Sequence, residues 1–511
     1  MKIYRIFTIS ILLIAILLAA VYFWISENGR EQIQPAGGNQ NGSSGSIQFS
    51  VPSGIYKGMV EVVIEGGPKE GTIHYTLDGT KPDRRSPVYK KPLTIREDTV
   101  VQAAVISGNA LAETASATYL VEASTLPVFS IITDPENLWS KDKGIYITGV
   151  HASKKYPYKG ANYWQDWEIP VEIDYLEKGK NVYSVSAGMK IFGGETRTLP
   201  QKSFALYAKS KYGSKKFYYP LFPGKNISEY NTFVLRNGGQ DFSKTHLRDG
   251  LVSTLVKDTN IDYQEYRPVV VYLNGTYWGI YDLREKIDDD FLAANHPGVK
   301  KKKIDLLEGK AVEKQGSNQD YLDLIDFIKN NNLKNSVNYR RVSEEIDINN
   351  FIDYVVAELY FANTDWPSHN YRYWKANGNF SKWRWIIYDG DLTFGDPREN
   401  TVVRFVNYHE SGDNSLTLPN LFRELLKNEQ FRRDFRERAD YHLANTFRPE
   451  RVIETARTLK RQIQPEMPRH LEKWGGTMAE WEQNTAKIET FAKERPQHLK
   501  RYLDELYSNL K

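Results

Sequence analysis

The sequence lacks cysteine altogether, so it can form neither disulfide bonds nor thiolate metal sites. It also lacks a strong charge of one sign: the net charge is only +4, which gives no electrostatic reason to expect nucleic acid as a partner. Hydrophobic residues make up 40% and charged residues 26%, as in ordinary globular proteins. Because 511 residues exceed a single ordinary core, we expect two or three domains.

The N-terminal segment contains a long apolar run at 6–25 (IFTISILLIAILLAAVYFWI), preceded by Lys2 and Arg5. A run of about 20 apolar residues can cross a bilayer, and positive residues stay on the cytoplasmic side. The segment 1–26 therefore predicts a transmembrane anchor of a single-pass membrane protein, with the bulk of the chain extracytoplasmic. A cleaved signal peptide is the alternative. Residues 27–46 are polar, without an apolar period, and predict a flexible linker.

Short alternating segments with turn signals about every ten residues fill 47–122, a pattern typical of a small all-β sandwich. The strings IHYTLDGTKP at 73–82 and SPVY at 86–89 resemble the chitobiase/β-hexosaminidase C-terminal type of β-sandwich module. Asp78 and Gly79 predict a hairpin turn. No catalytic pair is evident here, so we expect a spacer or an accessory binding unit.

The segment 361–395 (FANTDWPSHNYRYWKANGNFSKWRWIIYDGDLTFG) predicts a hairpin whose strands run within 371–388 and turn at 377–379. Polar side chains stand just outside its two ends: Asn363, Asp365, His369 and Asn370 before it, Asp389 and Asp391 after it. A hairpin brings its ends together, so two or three carboxylates and an amide are expected to meet at one end of a buried sheet, where they could hold a hard cation and a phosphate. The alternative is that they are ordinary turn formers.

Other candidates lie earlier, in an α/β region that opens near 126. A glycine turn at Gly193 and Gly194 is followed by Lys202 at the start of an apolar strand, and a second basic residue, Arg197, lies in the turn. Backbone amides in such a turn can approach a phosphate, although a lysine at a strand start is usually solvated. Glu285 follows a second predicted hairpin and is either an ion-pair partner for Lys202 or an exposed residue at a helix start.

The order of these segments, ending in NTDWPSHNYRYW and WIIYDGDLTFG, resembles the spore coat protein H (CotH) family, whose members are similar to atypical secretory protein kinases. The resemblance covers about 126–500. It implies ATP with Mg²⁺ or Mn²⁺, and it assigns Asp365 to the acceptor hydroxyl and Asn370, Asp389 and Asp391 to the metal. For nucleotide binding it assigns Lys202 to the phosphates, Arg197 as a second basic residue, and Glu285 as the ion-pair partner that orients Lys202. Asn363 and Thr364 stand where protein kinases usually have His-Arg, so this match is partial.

The predicted fold class is α+β: an N-terminal transmembrane helix, a β-sandwich over 47–122 and an atypical kinase-like domain over 126–511 with a C-terminal helical lobe. Residues 296–350 are interpreted as a solvated insertion. The predicted function is phosphorylation of Ser or Thr in spore-coat or cell-envelope proteins, with cell-wall glycan as a further partner of the sandwich. The alternatives are a non-catalytic assembly scaffold, favoured by the lack of ATP outside the cell, and a glycoside hydrolase with paired carboxylates.

Overall fold

The computed structural model describes residues 46–67, 71–107, 110–376, 378, 381–410 and 414–510. None of the helices in these ranges has the length and apolar character needed to cross a bilayer. The predicted transmembrane part of the fold class, and with it the single-pass membrane localisation, is therefore wrong for the chain as described. The apolar run that suggested the anchor, 6–25, lies outside the described residues.

The strands are β1 (Gln48–Phe49), β2 (Gly54–Ile55), β3 (Val60–Val62), β4 (Ile64–Glu65), β5 (Thr72–Thr76), β6 (Leu93–Ile95), β7 (Thr99–Ser107), β8 (Ala110–Leu120), β9 (Val128–Ile132), β10 (Ile169–Glu177), β11 (Lys180–Phe192), β12 (Ser203–Tyr207), β13 (Phe217–Tyr218), β14 (Glu229–Tyr230), β15 (Thr232–Arg236), β16 (Asp262–Tyr263), β17 (Tyr266–Leu273), β18 (Thr276–Glu285), β19 (Ile304–Glu308), β20 (Val312–Gln315), β21 (Arg372–Ala376) and β22 (Arg384–Ile387). The helices are α1 (Pro135–Trp139), α2 (Arg248–Val256), α3 (Asp289–Asn295), α4 (Gln319–Asn330), α5 (Ser336–Glu345), α6 (Ile348–Phe361), α7 (Thr401–Val406), α8 (Leu418–Leu425), α9 (Glu429–Ala444), α10 (Pro449–Ile463), α11 (Met467–Trp474) and α12 (Met478–Asn509).

The β-sandwich and the α/β region share one sheet of eleven strands, ordered β10-β9-β17-β18-β15-β12-β11-β2-β8-β7-β5. The junction is narrow, since β2 contributes one residue pair with β11, Gly54 opposite Lys180, and a parallel pairing with β8. Apolar residues alternate along β7 and pack in a small core with β3 and β6. The boundary at 122–126 remains a prediction.

The central hairpin forms as predicted. Strands β21 and β22 pair antiparallel, with Tyr373 opposite Trp385, inside a second sheet ordered β16-β22-β21-β19-β20. Trp374, Trp383 and Trp385 are fully buried, which explains why this stretch carries aromatics on both faces. The ends of the hairpin open towards the α/β region.

Residues 296–350 do not form a solvated insertion. Strand β19 pairs with β21 in the second sheet and buries Leu306 and Leu307. Helix α4 buries Tyr321 against Tyr373 of the hairpin, with ring centroids 4.5 Å apart. The polar residues that suggested an insertion lie on the outer face of amphipathic helices. The predicted helical lobe follows as α7 to α12.

A buried histidine pair connects the α/β region to the helical lobe. His246, at φ 57°, contacts His470 of α11, with ring centroids 4.6 Å apart. Burial lowers the pKa of His246 to about 4, and burial together with the neighbouring His246 lowers the pKa of His470 well below its usual range. Among the described side chains, neither nitrogen of His246 has a hydrogen-bond partner. The folded state therefore holds His246 neutral.

We expect the free energy of unfolding to fall as the pH drops from about 6.5 to 4. In this window the unfolded chain protonates at position 246 and the folded chain does not, so the stabilisation is complete above pH 6.5 and is lost below it. The loss attributable to His246 is about 3 kcal/mol. Urea unfolding of the wild type and of His246→Asn, whose side chain tolerates the left-handed backbone, measures it. Equal pH dependence in both proteins would contradict the assignment.

Candidate active site

The loop after α6 positions Asp365 through a short chain of hydrogen bonds. The side chain of Asn363 accepts from the backbone N–H of Asp365 (3.2 Å) and donates to the buried Glu358 carboxyl (3.2 Å). Arg404 donates to the backbone carbonyls of Asn363 (2.8 Å) and Trp366. Asp365 is thus held in place by Glu358 of α6, acting through Asn363, and by Arg404 of α7, which binds the backbone on both sides of it.

Asn370 lies directly beside Asp365. Its Nδ2 donates to Asp365 Oδ2 at 2.8 Å, and its backbone adopts φ 59°. Asn tolerates this left-handed conformation better than most residues, and here it turns the chain from the loop into β21. The predicted pair of Asp365 and Asn370 is therefore brought together.

Asp389 and Asp391 follow β22 and share one guanidinium. Arg236 Nη2 donates to Asp391 Oδ2 (2.7 Å) and also to Asp389 Oδ1. Asp391 Oδ2 accepts a second bond from the backbone N–H of Gln240 (2.8 Å). Burial raises the pKa of Asp391 to about 7; Arg236 opposes this shift and Asp389 adds to it.

The approach of the 238–241 turn to Asp391 requires glycine. Gly239 has φ +61°, and a Cβ at this position would lie 1.9 Å from Asp391 Oδ2 and 2.5 Å from Arg236 Nη2. Only glycine allows this backbone to approach the carboxylate so closely. The turn and the hairpin end therefore form one packed unit.

A network of buried charges supports the carboxylates from the α/β region, and its two arginines, Arg236 and Arg284, were missed from the sequence. Asp249, in the first turn of α2, lies 3.7 Å from Arg236 Nε and 3.4 Å from Arg284 Nη1, and accepts from the backbone N–H of Gly390 at 2.9 Å. Burial raises the pKa of Asp249, but Arg284 and Arg236 outweigh it and the net shift is downward. The sequence feature that could have indicated this network is an arginine at or near the end of an apolar strand, Arg236 on β15 and Arg284 on β18.

A cleft of about 950 Å³ joins these groups, within the usual size of small-molecule sites. Its lining includes residues 193–197, Arg236, Arg284, Lys286, Asp365, Asn370, Asp389 and Asp391. The α/β region thus contributes basic residues to the lining together with the acidic Glu195, Asp288 and Asp289, and the hairpin and the turn after it contribute Arg372, Asp389 and Asp391. Asp389 and Asp391 offer carboxylate oxygens to this cleft and Asn370 an amide oxygen, which are the ligand types that a hard divalent cation prefers.

Lys202 does not face this cleft. It precedes β12, whose first residue Ser203 lines the cleft, and successive side chains on a strand point to opposite faces. Lys202 Nζ instead donates to the carbonyls of Arg197 (2.6 Å) and Leu199 (2.9 Å) and lies 4.3 Å from the centroid of the Tyr163 ring. Burial lowers its pKa to about 8.

Glu285 is likewise on the far face, and the predicted ion pair with Lys202 does not form. Its neighbours Arg284 and Lys286 line the cleft, whereas Glu285 pairs with Lys225 (2.5 Å) and accepts from Asn295 Nδ2 (2.9 Å). Arg197 does line the cleft, and its Nε donates to the carbonyl of Gly193 at 2.6 Å. Of the three residues predicted for nucleotide binding, Arg197 alone lines the cleft.

Comparisons with known proteins cover both parts of the chain. No curated protein matches it. A crystal structure of the Helicobacter pylori proinflammatory kinase CtkA is similar at 12% identity and a TM-score of 0.23, covering 63% of this chain and 95% of that one. Residues 51–118 match the chitobiase/β-hexosaminidase C-terminal domain. Residues 189–499, more than half of the chain, match the CotH kinase protein family, and the protein therefore belongs to that family of atypical kinases.

Proposed function

We propose that this protein transfers the γ-phosphoryl group of ATP to a Ser or Thr hydroxyl of a spore-coat or cell-envelope protein. The observation that carries the proposal is the meeting of Asp365 and Asn370 with Asp389 and Asp391 in one cleft that also contains Arg236 and Lys286. Phosphoryl transfer needs positioning and charge neutralisation more than covalent chemistry, and this set supplies both.

Each group has a distinct role. The acceptor oxygen attacks the γ-phosphorus, the bond to the ADP oxygen breaks, and the Asp365 carboxylate takes the hydroxyl proton. Asp389, Asp391 and Asn370 would hold Mg²⁺ or Mn²⁺, which when bound neutralises phosphate charge. Arg197 and Lys286 lie across the cleft, where they can contact the phosphate oxygens.

Nucleotide binding is the first test. We expect ATP with Mg²⁺ or Mn²⁺ to raise the melting temperature of the full chain, and ATP with EDTA to raise it much less. A ligand at 100 times its Kd stabilises a folded protein by about 2.7 kcal/mol. A melting temperature that does not respond to ATP with either metal would contradict the proposal.

The placement of the lysines makes a further prediction. We expect Lys286→Met to weaken ATP binding about tenfold, because it removes a charge-assisted contact in the cleft. Lys202→Met should change ATP affinity less than about threefold, because Lys202 faces the other side of the sheet and acts only through the 193–198 turn. Titration with a fluorescent ATP analogue measures both. A larger loss of ATP affinity in Lys202→Met than in Lys286→Met would instead favour Lys202 as the lysine that contacts the phosphates.

A second candidate function, contact with cell-wall glycan, is favoured by one observation. A cavity of about 410 Å³ lies between the sandwich and the α/β region, lined by Leu77, Asp78, Trp139 and Trp278 among others. Trp139 is 40% exposed, and exposed aromatic rings with nearby carboxylates suit sugar rings. Sedimentation of the full chain with insoluble peptidoglycan, with Trp139→Ala as the variant, tests this contact. Equal binding by the wild type and Trp139→Ala would exclude this cavity as the glycan-binding site.

A further inference from the structure

The loop 149–167, between α1 and β10, exposes an unusual amount of apolar surface, and we name it the aromatic–lysine loop. Tyr156 is 60% exposed, Val150 56%, and Tyr158 and Trp167 38% each. Single exposed apolar residues are normal, but four within one short loop indicate a surface used for binding. The rings of Tyr156 and Tyr158 pack edge to face with centroids 6.0 Å apart, so they form one continuous patch.

The backbone of this loop is fixed even though its side chains are exposed. The backbone N–H of Ser153 donates to the carbonyl of Lys159 (2.7 Å), and Trp164 Nε1 donates to the carbonyl of Pro157 (2.8 Å). Tyr158 has φ 59°, an unfavourable conformation for an aromatic residue. Strain of this kind persists where surrounding contacts determine the backbone, and it concentrates at binding sites.

The loop also presents uncompensated positive charge. Its lysines, Lys154, Lys155 and Lys159, are exposed, and within the described ranges none is in an ion pair. The acidic residue of the loop, Asp166, is neutralised by Lys190 at 2.9 Å. Glu168, just after it, pairs with Lys211 at 2.8 Å. The surface therefore complements a partner that carries negative charge together with apolar side chains.

Direct contacts connect the loop to Glu195 and Arg197, two residues that line the active-site cleft. Tyr156 donates its hydroxyl to Glu195 Oε2 (3.4 Å), and Arg197 Nη1 donates to the carbonyl of Tyr163 (3.1 Å). The Arg197 guanidinium also lies 5.9 Å from the Trp164 ring centroid. Both Glu195 and Arg197 line the cleft, so a chain segment lying on the loop can continue into the cleft.

We propose that the aromatic–lysine loop is the docking surface for the protein acceptor, and that it binds an acidic segment with aromatic or aliphatic residues near the phosphorylated hydroxyl. This inference rests on the proposed function and adds the chemical class of the acceptor. Docking raises the local concentration of the hydroxyl at Asp365, so it governs KM for the acceptor more than kcat.

Fluorescence anisotropy with the full chain tests the docking without requiring phosphoryl transfer. The probe is a labelled Ser peptide flanked by Glu and Phe, compared with the same peptide carrying Gln in place of Glu. We expect the Glu peptide to bind at least tenfold more tightly at low salt, and the preference to shrink as salt screens it. In Lys154→Glu/Lys155→Glu/Lys159→Glu the preference should disappear, and Tyr156→Ala should weaken both peptides.

The matched control is Lys329→Glu/Lys334→Glu/Lys493→Glu, which reverses exposed lysines on α4, on the turn after α4 and on α12, and it should retain wild-type binding. In a kinase assay the loop variant should raise KM for the Glu peptide about tenfold at unchanged kcat. Equal binding of the Glu and Gln peptides by the wild type would overturn the proposed docking surface. So would a loss of Glu-peptide binding in the control variant as large as that in the loop variant. Peptide binding without any phosphoryl transfer would instead contradict the proposed function alone.

Discussion

Replacing Asp365 by Asn is expected to reduce phosphoryl transfer about 10³-fold while leaving ATP affinity within about threefold of the wild type. The amide cannot accept the proton of the acceptor hydroxyl, yet it has the same shape, and its oxygen can still accept from Asn370 Nδ2. Loss of rate without loss of binding separates a role in proton transfer from one in nucleotide binding. Initial rates with [γ-³²P]ATP, together with ATP titration of the same variant, measure the two quantities.

Two comparisons make this expectation specific. Asp389→Asn should weaken cation-dependent ATP binding as well as transfer, because Asp389 is a proposed metal ligand. Asp323→Asn, an exposed carboxylate on α4, should behave as wild type in both assays. If Asp365→Asn retained more than a tenth of the wild-type rate, Asp365 would be excluded as the group that accepts the hydroxyl proton.

Replacing Arg236 by Met is expected to lower the free energy of unfolding by about 3–5 kcal/mol. Arg236 Nη2 bonds Asp391 at 2.7 Å and also Asp389, and its Nε lies 3.7 Å from Asp249. Without it, Asp389 and Asp391 lose their shared counter-charge and Asp249 keeps only Arg284, while the three carboxylates still repel one another. Chemical denaturation of the apo protein in EDTA measures the loss.

The same variant has a diagnostic response to cations. Mg²⁺ or Mn²⁺ should restore part of the stability of Arg236→Met, because a divalent cation can replace the guanidinium between the carboxylates. Arg438→Met, which breaks the pair between Arg438 Nη2 and buried Asp353 (2.6 Å) far from the cleft, should also be destabilised but should gain nothing from the cation. An equal cation response in both variants would argue against a metal site at Asp389 and Asp391.

The parts of the site that depend on local patterns could be predicted from the sequence. The alternation on both sides of 377–379 predicts a hairpin, and a hairpin necessarily brings Asp365 and Asn370 near Asp389. The helices after 395 follow from their apolar period in the same way. In each case the residues that carry the sequence pattern are also the residues that form the hairpin or the helix, so no distant part of the chain has to be known.

Apart from Arg197, the basic residues of the cleft could not be predicted in this way. Whether Lys202 faces the cleft depends on which face of β12 is covered, and that is decided by strands far away in the chain. Asp249 meets Arg236 and Arg284 only because α2 packs against the sheet. Similarly, the polar character of 296–350 hid β19, whose pairing with β21 is determined by the tertiary structure.

Phosphoryl transfer by this cleft can be tested by intact-mass spectrometry of the full chain after incubation with ATP and Mg²⁺ or Mn²⁺, beside Asp365→Asn. We expect the wild type to gain the mass of one or more phosphoryl groups, EDTA to prevent the gain, and Asp365→Asn to remain unmodified. Equal phosphorylation of both proteins would show that Asp365 is not part of the transfer. An unmodified wild type that also fails to phosphorylate the Glu peptide would contradict kinase activity in this cleft.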